Sequence, residues 1–257
     1  MTQTLYLRNY QTLRGAGAYL SRLVYDPPAA GTPATAAAIA GIGINSGMVI
    51  RDLGVSFVNA VGQNTYRGID LTATQLAKLT RIRVSLFHTG LYMSRGSAHL
   101  GAAGCWFNNV ADVDFWSCKY SLDINDDVGY SSNNNNFQNL HANDVGVWQD
   151  GVAYRVRGYG HHLQNLYSGG LEGPGACCLE FGDTTDPKTG KGTGVAIAGN
   201  NLILGLYCES SPSYGIRVTN TTQGRGGNQV QGVHMDGAAR IATVHDPWGK
   251  KVCRCSV

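Results

Sequence analysis

Apolar residues along this chain recur in six-residue segments of the form apolar-x-x-apolar-x-(apolar or small), which begin at Ile50, Leu79, Val110, Phe137, Leu163, Ile203 and Val230. The fourth position reads Leu53, Ile82, Val113, Leu140, Leu166, Leu206 and Val233, with no polar residue among them. The sixth reads Val55, Val84, Phe115, Ala142, Ser168, Cys208 and Met235. Such columns are what a stacked core requires, because each coil of a solenoid buries its apolar side against its neighbours. Successive starts are 29, 31, 27, 26, 40 and 27 residues apart, so the long interval carries an excursion, expected as a loop at 182–193.

A second series of short strands is expected between these segments, at Ile69–Leu71, Leu91–Met93, Leu122–Ile124, Val147–Gln149, Leu179–Phe181 and Ile216–Val218. A third is expected at Val152–Val156 and Val195–Ile197. Period-two strands joined by Gly and Asn turns, repeated about every 27 residues, predict an all-β, single-stranded right-handed parallel β-helix. An antiparallel sandwich also has many short strands, but it has no reason to repeat one motif in register seven times. Residues 1–44 are expected to form N-terminal coils with a Pro/Ala-rich loop at 26–40, residues 45–244 the β-helix body, and residues 245–257 a cap or tail.

Composition agrees with this reading: 35 glycines and only 14% charged residues suit many tight turns and few helices. A formal charge of +3, spread along the chain, is no footprint for nucleic acid, and no such partner is expected. The apolar stretch Ala34–Ile44 is too short to span a bilayer, so no membrane insertion is expected. No basic segment with an apolar run follows Met1, so signal-peptide secretion is not expected either. Seven cysteines without paired CxxC spacing indicate neither a disulfide framework nor a zinc site, and the simplest reading is a chain kept reduced. No cofactor or metal is expected. His161-His162 would point to opposite sides of a strand, and Asp126-Asp127 reads as a solvated turn.

With positions four and six inward, position five and the residue after position six face outward. The first of these columns runs Gly54, Arg83, Asp114, His141, Tyr167, Tyr207, His234, and the second runs Ser56, Ser85, Trp116, Asn143, Gly169, Glu209, Asp236. Aromatic rings beside hydroxyls, imidazoles and carboxylates suit a sugar, whose C–H faces pack on rings while its hydroxyls take directed hydrogen bonds. They suit an oligomer interface equally. The candidate glycan-binding residues are Trp116, His141, Tyr167, Tyr207 and His234, with Trp148 on the expected strand Val147–Gln149.

The segments Leu13-Arg14-Gly15-Ala16-Gly17, Ile50-Arg51-Asp52-Leu53 and Gly205-Leu206-Tyr207-Cys208-Glu209 with Tyr214-Gly215-Ile216 make the chain resemble the pectate-lyase-like β-helix superfamily. The resemblance is to the β-helix bodies of bacteriophage tailspikes and depolymerases in particular. It implies a homotrimer in a phage tail, made in the host cytoplasm, that binds a host surface polysaccharide and attaches to other virion tail proteins. The anchoring and trimerisation domains usual in tailspikes have no counterpart in the pattern, which implies a fragment or a short spike carried by another subunit. Two alternatives stay open: a polysaccharide-degrading hydrolase or lyase of the same fold, and a purely structural virion subunit. For the enzyme the candidate catalytic residues are Glu209 and Asp236, which share one position in consecutive coils, with Glu172 as a third carboxylate. Carboxyls one strand spacing apart match the roughly 5 Å of a retaining glycosidase pair.

Overall fold

A computed structural model describes residues 1–28, 32–33, 36–41, 43–58, 64–94, 104–125, 132–148, 150–173, 175–182, 198–209, 214–219, 227–236, 241–242 and 253–256. Its strands run parallel and stack coil upon coil in three faces. The long face carries the repeat. It comprises Thr12–Arg14, Val49–Phe57, Lys78–Ser85, Asn109–Trp116, Asn136–Asn143, His162–Ser168, Leu202–Glu209, Asn228–Asp236 and Cys253–Ser256, with Arg22–Tyr25 beside the second of these. Opposite it lie Leu5–Leu7, Ala37–Gly41, Arg67–Asp70, Thr89–Met93, Tyr120–Ile124, Val152–Val156, Cys177–Gly182, Tyr214–Thr219 and Ile241–Ala242. A short face of two-residue strands, such as Cys105–Trp106 and Ser132–Asn133, closes each coil. The solenoid is a parallel β-helix, with parallel crossovers of the right-handed kind.

The register is the one written in the repeat. Leu53, Ile82, Val113, Leu140, Leu166, Leu206 and Val233 pair rung by rung in one column, as do Val55, Val84, Phe115, Ala142, Ser168, Cys208 and Met235. The reason for the apolar-x-x-apolar spacing is a corner in the backbone. The third position of every repeat has positive φ: Asp52 at 60°, Arg81 at 52°, Asp112 at 55°, Asn139 at 53°, Asn165 at 54°, Gly205 at 76° and Gly232 at 67°. That left-handed residue bends the strand, so the first, fourth and sixth side chains all enter the core. The side chains of this column link coil to coil, with Asn165 Nδ2 donating to Asn139 Oδ1 at 3.1 Å and Asn139 Nδ2 to Asp112 Oδ1 at 2.8 Å. A β-branched residue is strained at such a φ while Asn is not. Gly205→Val is therefore expected to cost about 1–3 kcal/mol in urea unfolding, and Gly205→Asn to stay within about 0.5 kcal/mol of the parent.

A second left-handed column, including Phe107, Asn134 and Asn200, turns the chain into the long face, and the residue after it is buried. Asn108, Asn135, His161, Asn201 and Asn228 form this interior ladder. The Asn108 backbone N–H donates to Asn135 Oδ1 at 2.9 Å, that of Asn135 to His161 Nδ1 at 3.3 Å, and that of His161 to Asn201 Oδ1 at 2.8 Å. His161 thus lies inside the core and His162 on the other side of the strand.

Small residues line the opposite face where position six abuts it. A Cβ on Gly90 would lie 2.6 Å from Phe115 Cδ1, and one on Gly68 would lie 2.4 Å from Val84 Cγ1. Cys178 occupies the same small column, and its sulfur is bonded to that of Cys208 from position six. The expectation of a fully reduced chain is corrected there: two inward columns bring one pair of sulfurs together across the coil. Cys105, Cys118 and Cys177 are buried as free thiols, and burial pushes Cys118 and Cys177 up to about 12.

Three further expectations differ from the structure. Val145–Trp148 is a single 3₁₀ turn and not a strand, and Val152–Val156 takes that rung of the opposite face, with Tyr154 aligned between Leu122 and Leu179. The stretch read as a loop at 26–40 contains the strand Ala37–Gly41, because Ala37, Ala38 and Ile39 are buried on the first coils. The true third face is made of two-residue strands. Val195–Ile197, Asp126-Asp127, most of the loop at 182–193 and residues 245–252 lie outside the described residues.

Candidate functional site

The outward residues of the long face form a ridge along the solenoid. Arg83, Asp114, His141, Tyr167, Tyr207 and His234 occupy successive rungs of position five. Parallel pairing holds them about 4.8 Å apart, which lets neighbouring rings pack face to face. The Tyr167 and Tyr207 rings lie 5.6 Å apart at 8°, and those of Tyr207 and His234 lie 4.9 Å apart at 10°. His141 meets Tyr167 edge-on at 5.8 Å, and its Nδ1 is 3.3 Å from Asp114 Oδ1. Trp116, two residues beyond Asp114 and in the neighbouring outward column, is 41% exposed.

Beside the rings runs a groove of about 330 Å³, with Leu166 and Leu206 in its floor. The left-handed column forms its other wall, and there the side chains stop: after Asn165 come Gly205 and Gly232. A concave strip with an apolar floor, an aromatic wall and imidazoles and hydroxyls at its rim is the chemistry that grips a pyranose ring.

Glu209 and Asp236 are paired on adjacent rungs and both are exposed. The Tyr167 hydroxyl donates to Glu209 Oε2, and that bond pushes Tyr167 up to about 12. Glu172 is exposed on the loop after His162–Ser168 and is not part of this ladder. Trp148 is placed elsewhere: its indole N–H donates to the Ser117 carbonyl at 3.1 Å and its ring stands 5.8 Å from His88, at the corner between the long and opposite faces. Of the six residues read as sugar-facing, Trp116, His141, Tyr167, Tyr207 and His234 share the ridge.

Tyr19 joins it from far away in sequence. The turn Gly15–Ser21 is tucked against the second coil, where a Cβ on Gly15 would lie 2.3 Å from the Asp52 carbonyl and one on Gly54 would lie 2.7 Å from that of Ala18. It lays Tyr19 across the face so that its hydroxyl donates to Asp114 Oδ2 at 2.9 Å. The only trace of this in the sequence is the Leu13–Gly17 turn. Among the described residues no three His, Cys, Asp or Glu side chains converge as metal ligands, and no helix is long and apolar enough to cross a membrane.

No protein-family model and no curated protein matches the chain. Solved structures do. The protein of ORF18 from Geobacillus virus E2 aligns with a TM-score of 0.51 at 14% identity, over 90% of this chain and 42% of that one. The catalytic domain of a GH87 alpha-1,3-glucanase, solved with bound tetrasaccharides, aligns with a TM-score of 0.53 at 15% identity, over 91% of this chain and 52% of that one. What they share is the parallel β-helix. This chain spans about half the length of these structures, and at such identities the likeness is one of fold.

Proposed function

We propose that this chain is a tailspike- or tail-fibre-type virion component that holds a host surface polysaccharide along the long-face ridge, as a homotrimer. The observation that carries the reading is the row His141, Tyr167, Tyr207 and His234 beside an apolar groove left open by Gly205 and Gly232. The β-helix shared with a viral protein and with a glucanase domain that binds tetrasaccharides supports it by fold. Purified host capsular or O-antigen polysaccharide is expected to bind the parent, and Tyr207→Ala to weaken binding at least about tenfold, as loss of an exposed stacking anchor does. Equal affinities would remove the ridge from the interaction. A mass near three times 27.4 kDa in light scattering is expected for the assembly, and a mass near 27.4 kDa would rule the trimer out.

The adjacent carboxylates favour a second reading, in which the same groove cleaves the glycan. Glu209, which accepts from the Tyr167 hydroxyl, acts there as nucleophile and Asp236 as acid and base. Release of fragments that disappears in Glu209→Gln and in Asp236→Asn is the expected result for that enzyme. Binding without fragments leaves a receptor-binding spike.

A further inference from the structure

From Thr12–Arg14 to Asn228–Asp236 the long face is polar in charge. Its first four strands, Thr12–Arg14, Arg22–Tyr25, Val49–Phe57 and Lys78–Ser85, carry six Lys and Arg (Arg14, Arg22, Arg51, Lys78, Arg81, Arg83) and one acid, Asp52. The five from Asn109–Trp116 to Asn228–Asp236 carry no Lys or Arg and four carboxylates. The small overall charge hides this division.

At the basic end the cations do two different things. Arg14, Arg51 and Arg81 gather on Asp52, with Nε atoms 3.5, 4.0 and 2.6 Å from its carboxylate. Arg22 and Arg83 have no carboxylate within ion-pair distance among the described residues. They line a pocket of about 180 Å³ with Tyr19, Gly54, Ser56 and Ser85 and with no acid in its wall. Arg22 Nε donates to Ser56 Oγ at 2.8 Å, which leaves the Ser56 hydroxyl proton to donate in turn. The Arg83 guanidinium lies over the Tyr19 ring at 4.9 Å and the Trp116 ring at 5.1 Å. Asp114, on the next rung, is engaged by Tyr19 and His141 instead.

Two guanidiniums and two hydroxyls, with no acid in the pocket wall, are groups suited to hold a small anion. Resting on the glycan reading above, we propose that this pocket is a subsite for a negatively charged group of the bound polysaccharide, a carboxylate or a sulfate ester on a sugar. The chain then reads an acidic glycan: rings pack in the Tyr167–His234 groove, while an acidic residue further along is held at Arg22 and Arg83.

Calorimetric titration with tetragalacturonate, sulfated maltotetraose and plain maltotetraose tests it. At least one charged probe is expected to bind about tenfold or more tightly than maltotetraose and to weaken as NaCl rises from 50 to 300 mM; which one binds tells carboxylate from sulfate. Arg83→Gln is expected to abolish that preference while Arg14→Gln, on the Asp52 side, keeps it. Ser85→Ala, expected to lower affinity a few-fold, serves if Arg83→Gln fails to fold. No preference for charge, or equal loss in Arg14→Gln and Arg83→Gln, overturns the subsite. The two readings fail separately: host polysaccharide bound equally by the parent and Arg83→Gln keeps the ridge and removes the pocket, whereas an Arg83-dependent oligosaccharide preference without any polysaccharide binding keeps the pocket and removes the ridge.

Discussion

Glu180→Ala is expected to destabilise the protein by about 3–5 kcal/mol, the loss that follows when one partner of a buried ion cluster is removed. On the opposite face Asp70, Tyr92, Asp123, Arg155, Glu180 and Arg217 occupy successive rungs of one column. The Glu180 side chain is 4% exposed, and it accepts from Arg155 Nε at 2.8 Å and from Arg217 Nε at 2.6 Å. Arg155 lies over the Tyr120 ring at 3.9 Å and has a second acid, Asp123, 3.7 Å away. Without Glu180, Arg155, whose side chain is 10% exposed, keeps only Asp123, and Arg217 loses the carboxylate it pairs with. Burial by itself would push the Glu180 carboxyl up, but the two arginine charges outweigh it and hold the group below the usual carboxylate range. A carboxyl held down in the folded state stabilises fully above its unfolded value, near 4.3, and that contribution fades as pH falls through the folded value. Glu180→Gln restores the shape and not the charge, so it is expected to recover only part of the loss. Urea unfolding at pH 7 measures both; a loss below about 1 kcal/mol for Glu180→Ala would mean that the cluster is solvated.

Mild acid is expected to destabilise the parent more than His161→Asn. His161 is enclosed in the asparagine ladder: Nδ1 accepts from the Asn135 N–H, and Nε2 lies 3.0 Å from the Arg157 carbonyl, to which the neutral Nε2–H tautomer donates. A proton on Nδ1 would face the Asn135 N–H with no acceptor. Burial, the largest influence, brings His161 down to about 4. Below pH 6.5 the unfolded chain binds a proton that the folded one refuses, so stability drops by about 2 kcal/mol by pH 5 and about 3 below pH 4. Asparagine fits this position by the example of Asn135 and Asn201 on the flanking coils. The variant is expected to lose correspondingly less between pH 7.5 and 5. His88, lowered to about 4 chiefly by burial, stays in both proteins and sets the remaining slope. Identical slopes for parent and variant would place His161 in contact with solvent.

The repeat exposed the fold because one backbone corner recurs on every coil, and a corner that sends three side chains inward leaves a spacing no sandwich reproduces. Asn139, Asn165, Gly205 and Gly232 mark that corner in the sequence, whereas Asp52, Arg81 and Asp112 adopt the same φ without being residues that announce it. Nothing in the run Asn134-Asn135-Asn136 itself shows that Asn135 belongs to an interior ladder shared with His161, since only stacking makes the column. Two-residue strands are too short to carry a period. The Val147–Gln149 segment has the apolar content of a strand, but the indole N–H of Trp148 finds its acceptor by closing a turn. The ridge followed from the register, and Trp116, His141, Tyr167, Tyr207 and His234 share it as that register required. Tyr19, Arg22 and the anion pocket did not follow. The Tyr19 bond to Asp114 crosses 95 residues, and no local pattern encodes a loop folding back over a face.

The polysaccharide we propose as ligand would lie along this ridge. Hydroxyl-radical footprinting of the protein with and without the host's surface polysaccharide addresses it residue by residue. Shielding is expected at Trp116, Tyr167, Tyr207 and His234, with Tyr120 and Trp148, away from the ridge, unchanged. Bound polysaccharide that leaves Tyr167, Tyr207 and His234 as reactive as before would mean that the glycan lies elsewhere on the protein.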